Sequence, residues 1–236
     1  TFQSLDESEQ EKRMMIAQLS HDIKTPITSI QVTVEGILDG VIKEEERLHY
    51  LATIGRQTER LNKLVEELDV LTLNTQPQET ADEEVEEVFL DQLLIESMSE
   101  FQLQIEQEER DVYIQVSPES AKIKSHSDKL SRILVNLLNN AFKYSEPGTR
   151  IEVLAQLTEQ ELTISVKDEG QGILPEDLEK IFKRLYRVET SRNMKTGGHG
   201  LGLAIARELA HQLGGEITAE SQYGLGSKFT FSLNLK

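Results

Sequence analysis

Cysteine is absent from all 236 residues. Disulfides and thiolate metal sites are thereby excluded, and the redox compartment is left open. Long apolar runs are missing too. None approaches the ~20 residues needed to span a bilayer, and no secretory signal pattern opens the chain. Basic residues are scarce relative to acidic ones: 25 Lys and Arg stand against 42 Asp and Glu, a net charge of −17 at pH 7. That balance argues against a nucleic-acid-binding surface, which needs a basic patch, so no nucleic-acid partner is expected.

What remains is 37% hydrophobic and 28% charged, a mixture suited to a soluble folded protein with long exposed helices. The length allows about two domains. The first 12 residues are polar, expected to fray or to be the stub of an upstream helix. Apolar residues then fall at Ile16, Leu19, Ile23, Ile27, Ile30, Val34, Ile37 and Val41. Steps of three and four predict an amphipathic helix over 9–38. Asp39-Gly40 reads as its stop, with Gly40 suited to a left-handed C-terminal position. After a loop over 39–44, a second helix is predicted over 45–74. Its apolar side reads Leu51, Ile54, Thr58, Leu61, Val65, Leu68 and Thr72, a heptad pattern apart from the threonines. A short loop between long helices implies an antiparallel hairpin. Two helices alone bury both stripes poorly, so a four-helix bundle of two chains is expected. The competing arrangement docks the hairpin on the rest of its own chain.

Within the first helix lies the heptapeptide S-H-D-I-K-T-P at 20–26. His21 is two residues from both Leu19 and Ile23, about 200° around the helix from each, and so should project into solvent. Thr25 lies one turn later on the same face. Asp22 is close enough to orient or deprotonate the imidazole. Pro26 removes a backbone donor and is expected to bend the helix. In isolation, this is also what a harmless surface histidine looks like.

Residues 76–88 hold one proline and a cluster of acids, the composition of an interdomain linker, ending in a strand around 85–90. From 89 the pattern is mixed. Asp91 is expected to cap a helix carrying Leu93, Leu94, Met98, Phe101 and Ile105. Val112, Ile114 and Val116 alternate as a strand. Asp128 is expected to cap a further helix with Leu130, Ile133, Leu134, Leu137 and Leu138. Strands follow at 151–157 and 162–166, a helix at 201–213 ended by Gly214-Gly215, and two closing strands at 217–219 and 228–233. The fold class is therefore α+β multidomain: a hairpin over 1–75, the linker over 76–88, and an α/β sandwich over 89–236 with helices on one sheet face.

Four stretches in that last domain carry candidate ligand chemistry. In N-L-L-N-N-A-F-K-Y-S at 136–145, Asn136, Asn140 and Lys143 share one polar face. An amide oxygen suits Mg²⁺, and a lysine offsets phosphate charge. In D-E-G-Q-G-I at 168–173, Asp168 at a strand end can accept a hydrogen bond from a purine amine. Gly170 and Gly172 allow close backbone approach. The segment F-K-R-L-Y-R at 182–187 is a local basic cluster able to meet a triphosphate. Finally, G-H-G-L-G-L at 198–203 leads into a helix whose N-terminal amides suit phosphate. It is not a P-loop, since no G-K-[S/T] ends it.

Taken in order, the heptapeptide and these boxes, with G-L-G-S at 224–227, resemble the bacterial sensor histidine kinases of two-component systems. Their ATP-binding domain belongs to the wider family of gyrase-like and Hsp90-like ATPases. The resemblance covers about 9–235. It implies that His21 is the phosphoacceptor, Asp22 the general base, and Thr25 the residue that positions water for dephosphorylating the partner. It makes Asn140 the Mg²⁺ ligand, places Asn136 near the phosphates and Lys143 on them, and sets Tyr144 beside the adenine. Asp168 would read the adenine amine, Gly170 and Gly172 shape the pocket floor, and Arg187 reach the terminal phosphate. Residues 184–198 would form a mobile lid, with Gly200 and Gly202 its hinge.

The implied function is an ATP- and Mg²⁺-dependent kinase that autophosphorylates, passes the group to a response-regulator receiver domain, and also acts as that regulator's phosphatase. A homodimer through the hairpin is implied. Because the chain opens on Thr1, it is expected to be the cytoplasmic fragment of a plasma-membrane sensor whose anchor lies upstream. The acid after His21 is Asp where many relatives have Glu; both are carboxylates. Two alternatives retain the same pocket: a dimeric scaffold that binds nucleotide without transfer, and an ATPase or serine kinase acting on another acceptor.

Overall fold

A computed structural model describes residues 2–72, 85–184, 186 and 200–235. The chain divides into two compact units, Thr1–Thr72 and Leu73–Lys236. The first is a helical hairpin. Helix α1 spans Phe2–Leu38 and α2 spans Arg47–Thr72, with a 3-10 turn at Glu44–Glu46 between them. Helix α1 thus begins well before the expected position 9. Helix α2 begins two residues later than expected, because the acidic run at its start is wound as the tighter turn. Residues 73 and 74, the expected end of that helix, lie outside the described residues, as does 76–84 of the expected linker.

The end of α1 follows from its glycines. Gly40 takes φ +70°, the left-handed conformation glycine adopts without penalty. The Asp39 amide donates to the Glu35 carbonyl at 2.8 Å and the Ile42 amide to that of Gly36 at 2.9 Å. Ile42 folds back onto Gly36, where a Cβ would lie 3.1 Å from its Cδ1. Helix α1 continues through Pro26 to Leu38, and Pro26 is buried.

The apolar stripes split into two seams. On α1, Ile23, Ile30 and Ile37 recur every seven residues and are half-buried, whereas Ile27 and Val34, also seven apart, are exposed, as is Val41 just past the helix end. On α2, Ile54, Leu61 and Leu68 are half-buried, whereas Leu51, Thr58 and Val65 are exposed. One seam of each helix is therefore covered within the hairpin and one is open, the pattern of a helix pair that is half of a larger bundle.

The second unit is an α/β sandwich. Its five-stranded sheet has the order β2-β4-β5-β7-β6, formed by β2 (Asp111–Ser117), β4 (Arg150–Leu157), β5 (Glu161–Asp168), β6 (Glu216–Gln222) and β7 (Gly226–Asn234). Strand β2 runs parallel to β4; the other pairs are antiparallel. A separate ribbon pairs β1 (Glu86–Phe89) with β3 (Lys122–Ser125). Strand β3 was not anticipated, being too short to alternate visibly. The helices are α3 (Leu90–Ser99), α4 (Gln102–Gln107), α5 (Ser127–Tyr144) and α6 (Gly202–Gln212). Helices α5 and α6 pack on each other, and α5 lies against α3 and β5. Leu137, Leu138 and Ala141 of α5 and Val166, Phe229 and Phe231 of the sheet are all buried in the core of this unit.

Three local expectations are corrected. The helix expected to carry residues 93 to 105 is two helices, α3 and α4, broken around Phe101, whose ring is buried and stacks on Phe142 at 4.7 Å. Tertiary packing of that ring overrides local helix continuity. Asp91 and Asp128 are not N-caps. Those positions belong to Phe89 and His126, and both acids sit inside the first turn, where they still oppose the helix dipole. Leu90 opens α3 rather than closing a strand.

The open seam predicts self-association. Light scattering of the chain is expected to give twice the monomer mass, and Leu51→Asp combined with Val65→Asp to return it to one copy. A wild-type chain that is already monomeric would mean the seam is not a subunit contact.

Candidate functional site

Two sites are built, one in each unit. In the hairpin, the His21 side chain is 76% exposed and that of Asp22 only 12%. The helical phase of the stripe causes this contrast. Nδ1 of His21 lies 3.3 Å from Asp22 Oδ1. The Gln18 amide, one turn earlier, donates to both carboxylate oxygens of Asp22 at 3.3 Å. Asp22 is therefore approached from both sides. Thr25 is exposed on the same face, and its hydroxyl donates to the His21 carbonyl at 3.0 Å. With its proton engaged there, Oγ1 presents lone pairs outward and can accept from a water. The expected grouping of His21, Asp22 and Thr25 is present.

In the second unit, α5 supplies one wall. Its apolar face is entirely in the core, so the opposite face must carry Asn136, Asn140 and Lys143, all half-buried. The Asn136 side chain donates to the Arg132 carbonyl at 2.8 Å. Its Oδ1 would lie 3.0 Å from a Cβ placed on Gly202, so the first residue of α6 meets α5 at this point. The N-cap of α6, Leu201, offers no capping side chain, and amides at a helix N-terminus suit a phosphate. Gly200, with φ +71°, turns the chain into it. Nζ of Lys143 lies 5.0 Å above the ring of Tyr144, the last residue of α5.

The other wall is the end of β5. Asp168 is its terminal residue and is 2% exposed. Its Oδ1 accepts the Gly170 amide at 2.8 Å. Burial pushes its carboxyl up to about 6, while the amides of Gly170 and Ser227 and the charge of Arg110 pull the other way. The two glycines of this turn admit the protein's own backbone. A Cβ on Gly170 would strike the Tyr144 carbonyl, and one on Gly172, at φ +68°, the Gln222 carbonyl. The turn is further tied down by Gln171 N–H to the Tyr144 carbonyl (3.2 Å), Gly224 N–H to the Gln171 carbonyl (2.7 Å) and Ile173 N–H to Ser221 Oγ (2.8 Å). The loop holding Asp168 is thus rigid before any ligand arrives.

In the basic stretch, Ile181 is buried and Lys183 and Arg184 are exposed. Phe182 packs edge-on to Phe229 and under the Arg207 guanidinium. The Tyr186 hydroxyl donates to Asp177 at 2.6 Å. Arg187 and most of the expected lid lie outside the described residues. The residue that sequence reasoning missed is Arg110. It stands between Glu109 and Asp111 and reads as one more surface charge, yet its side chain is 1% exposed.

These groups suit a purine nucleotide: a buried acceptor for the base, and the N-terminal amides of α6 and the Lys143 cation for the phosphates. Among the described residues no group of three or more His, Cys, Asp or Glu could hold a metal ion. A metal here would take most of its ligands from phosphate and water, as Mg²⁺ does, with Asn140 contributing a neutral oxygen.

The class defined by this architecture is a nucleotide-binding α/β unit preceded by a hairpin that displays a histidine. Comparison with known proteins narrows it. Residues 11–76 match the His Kinase A (phospho-acceptor) domain. Residues 125–236 match the histidine kinase-, DNA gyrase B- and HSP90-like ATPase family. The chain is 39% identical over 229 residues to histidine protein kinase SaeS of Staphylococcus epidermidis, covering 95% of this chain. It is 40% identical over 230 residues to SaeS of Staphylococcus aureus, covering 96%. It spans 64% of the length of each. A solved histidine kinase, AdeS of Acinetobacter baumannii, superposes with a TM-score of 0.72 at 26% identity, over 92% of this chain and 98% of that one. The chain belongs to the sensor histidine kinases of two-component systems.

The raised carboxyl of Asp168 gives a pH signature. With its folded value above its unfolded one, this group's contribution to stability falls as pH rises from the ordinary carboxyl range through about 6. A donor amine on the base favours the ionised form and so binds better above that range. Adenine-nucleotide affinity is expected to be about tenfold weaker near pH 5 than near pH 7. Titration calorimetry on Asp168→Asn, which lacks the carboxyl, should show that step removed. An identical pH profile in the variant would exclude Asp168 as the base acceptor.

Proposed function

We propose that the chain is an ATP-dependent protein-histidine kinase that phosphorylates His21 and passes the group to an aspartate of a response-regulator receiver domain. One observation carries this reading: a single polypeptide displays an outward imidazole braced by a shielded carboxylate and also builds a purine-type site with a buried acceptor.

The Asp22 contact places the ring proton on Nδ1 and leaves the Nε2 lone pair facing outward as nucleophile. Nε2 attacks the γ-phosphorus. The new N–P bond forms as the bond to the β,γ-bridging oxygen breaks, and ADP leaves with that electron pair. Asp22 offsets the positive charge that develops on the ring and accepts the Nδ1 proton. Positioning carries most of the acceleration, because phosphoryl transfer asks little covalent help of the protein.

Asp168 holds the adenine amine, Tyr144 lies along the base, and Gly170 and Gly172 keep the floor close. Lys143, Asn136 and the α6 amides behind Gly200 and Gly202 take the phosphates. Arg187 would meet the terminal phosphate from the lid. Asn140 would hold Mg²⁺, which when bound neutralises phosphate charge.

The hairpin serves as the homodimer contact through its open seams and as the docking surface for the regulator. The outward lone pairs of Thr25 support the opposing activity, by orienting water for hydrolysis of the regulator's phosphoaspartate. The units serve as phosphoacceptor (1–75), linker (76–88) and catalytic domain (89–236). No described helix is long and apolar enough to cross a membrane, and the chain covers only part of its relatives' length. Both fit the cytoplasmic portion of a membrane-anchored sensor.

Incubation with γ-labelled ATP is expected to give acid-labile, alkali-stable protein label that is lost in His21→Ala and in Asn140→Ala. Label persisting in His21→Ala would sink the acceptor assignment; nucleotide binding with no label under any condition would favour a scaffold. Thr25→Ala is expected to retain the label while slowing dephosphorylation of the regulator by roughly tenfold or more. An unchanged rate would remove Thr25 from that role.

A further inference from the structure

Helix α5 ends without a glycine. Its C-cap, Ser145, is extended at φ −112° and ψ 151°, so the closing turn lacks the left-handed residue that satisfies the last carbonyls of many helices. Ser145 Oγ donates to the Ala141 carbonyl at 2.7 Å, and the Phe142 carbonyl and that of Ser145 are met by a side chain from elsewhere. Nη2 of Arg110 donates to the Phe142 carbonyl at 3.3 Å and to that of Ser145 at 2.9 Å. Nη1 donates to Ser145 Oγ and Thr149 Oγ1, both at 2.8 Å, and to the Glu146 carbonyl. Nε and Nη2 pair with Glu108 Oε2, each at 2.7 Å. The guanidinium also lies over the Phe142 ring at 5.6 Å. A buried planar fork is thus used at every position, opposite the negative end of a helix dipole.

The turn it holds is the one that meets the base-binding loop. Tyr144, between Phe142 and Ser145, gives its carbonyl to the Gln171 amide and leaves no room for a Cβ on Gly170. Gly170 in turn donates to Asp168 Oδ1. Arg110, the end of α5, the 170–171 backbone and the Asp168 carboxylate form one continuous chain of contacts.

We infer that Arg110 is a positioning residue for the purine end of the nucleotide site: by tying the last turn of α5 to the start of β2, it holds Tyr144 and the Asp168 loop in register for an adenine base. This rests on the reading of the pocket as a nucleotide site. It concerns the base and not the phosphates, whose candidate ligands, Lys143, Asn136 and the α6 amides, receive no hydrogen bond from Arg110 among those described. Loosening this end therefore costs discrimination between bases more than triphosphate binding as such. Lysine keeps the charge but can satisfy only some of these acceptors.

The test uses the whole chain and displacement of a trinitrophenyl-labelled ATP by ATP and by ITP, which replaces the exocyclic amine with a carbonyl. The wild type is expected to prefer ATP by roughly a hundredfold. Arg110→Lys is expected to lower that preference about tenfold or more, chiefly through weaker ATP binding, with ITP affinity little changed. Thr149→Val removes one acceptor of the fork at a partly exposed position and should move the ratio in the same direction by about threefold. It decides the matter if Arg110→Lys does not fold. A wild type that binds no nucleotide overturns the nucleotide-site reading itself. A discriminating wild type overturns the Arg110 assignment if the ratio is unchanged in the decisive variant. The same holds if that variant weakens ATP and ITP equally while its melting temperature falls, since Arg110 would then be a scaffold residue only.

Discussion

Helix α5 cannot move without moving both the core and the candidate site. Its apolar face, from Leu130 to Phe142, is buried against the sheet and α6. Burial of that face is the main favourable term holding the second unit together. The same burial fixes the rotation of the helix, and rotation decides where Asn136, Asn140 and Lys143 point. A polar stripe on a loosely held helix would offer its amides at many angles. Here it is as rigid as the packing behind it, which is what preorganised binding of a charged ligand requires.

A second constraint acts at the ends of the elements. Asp168 closes β5 and is buried, which disfavours its charge; amides from Gly170 and Ser227 and the field of Arg110 partly offset that. The loop that follows is fastened to α5 through Tyr144 and to the β6–β7 turn through Gly224 and Ser221. An acceptor held this way cannot relax to fill its own hydrogen-bonding capacity, so an incoming donor is favoured. The hairpin makes the opposite choice. His21 is left in solvent and only the carboxylate beside it is shielded, an arrangement that suits the phosphoacceptor role proposed for it, since a group that meets two partners in turn cannot be enclosed by either.

Much of this was legible in the residues. The periodicity around His21 places the imidazole outward, because a helix with its apolar residues on one side has only one phase that buries them. The same reasoning put Asn136, Asn140 and Lys143 on one face and Asp168 at a strand end. Caps were read less well. Asp91 and Asp128 are strong N-cap residues by preference, yet both N-caps fall two residues earlier, at Phe89 and His126. The break at Phe101 was invisible, since the stacking partner that enforces it, Phe142, is 41 positions further along the chain.

What the residues determined by themselves was everything local: the facing of the histidine, the heptad seams, the strand alternation, and the order of the boxes that mark the family. What only the tertiary structure decided was which long-range neighbour each group has. Gly170 and Gly172 are glycines because Tyr144 and Gln222 lie against them. Arg110, indistinguishable from a surface charge among its acidic neighbours, is buried because carbonyls at the end of α5 need donors that it supplies. The physical reason is the same in each case. Periodicity reports the environment of a face, whereas hydrogen-bond partners and close approaches depend on which distant segments the sheet brings together.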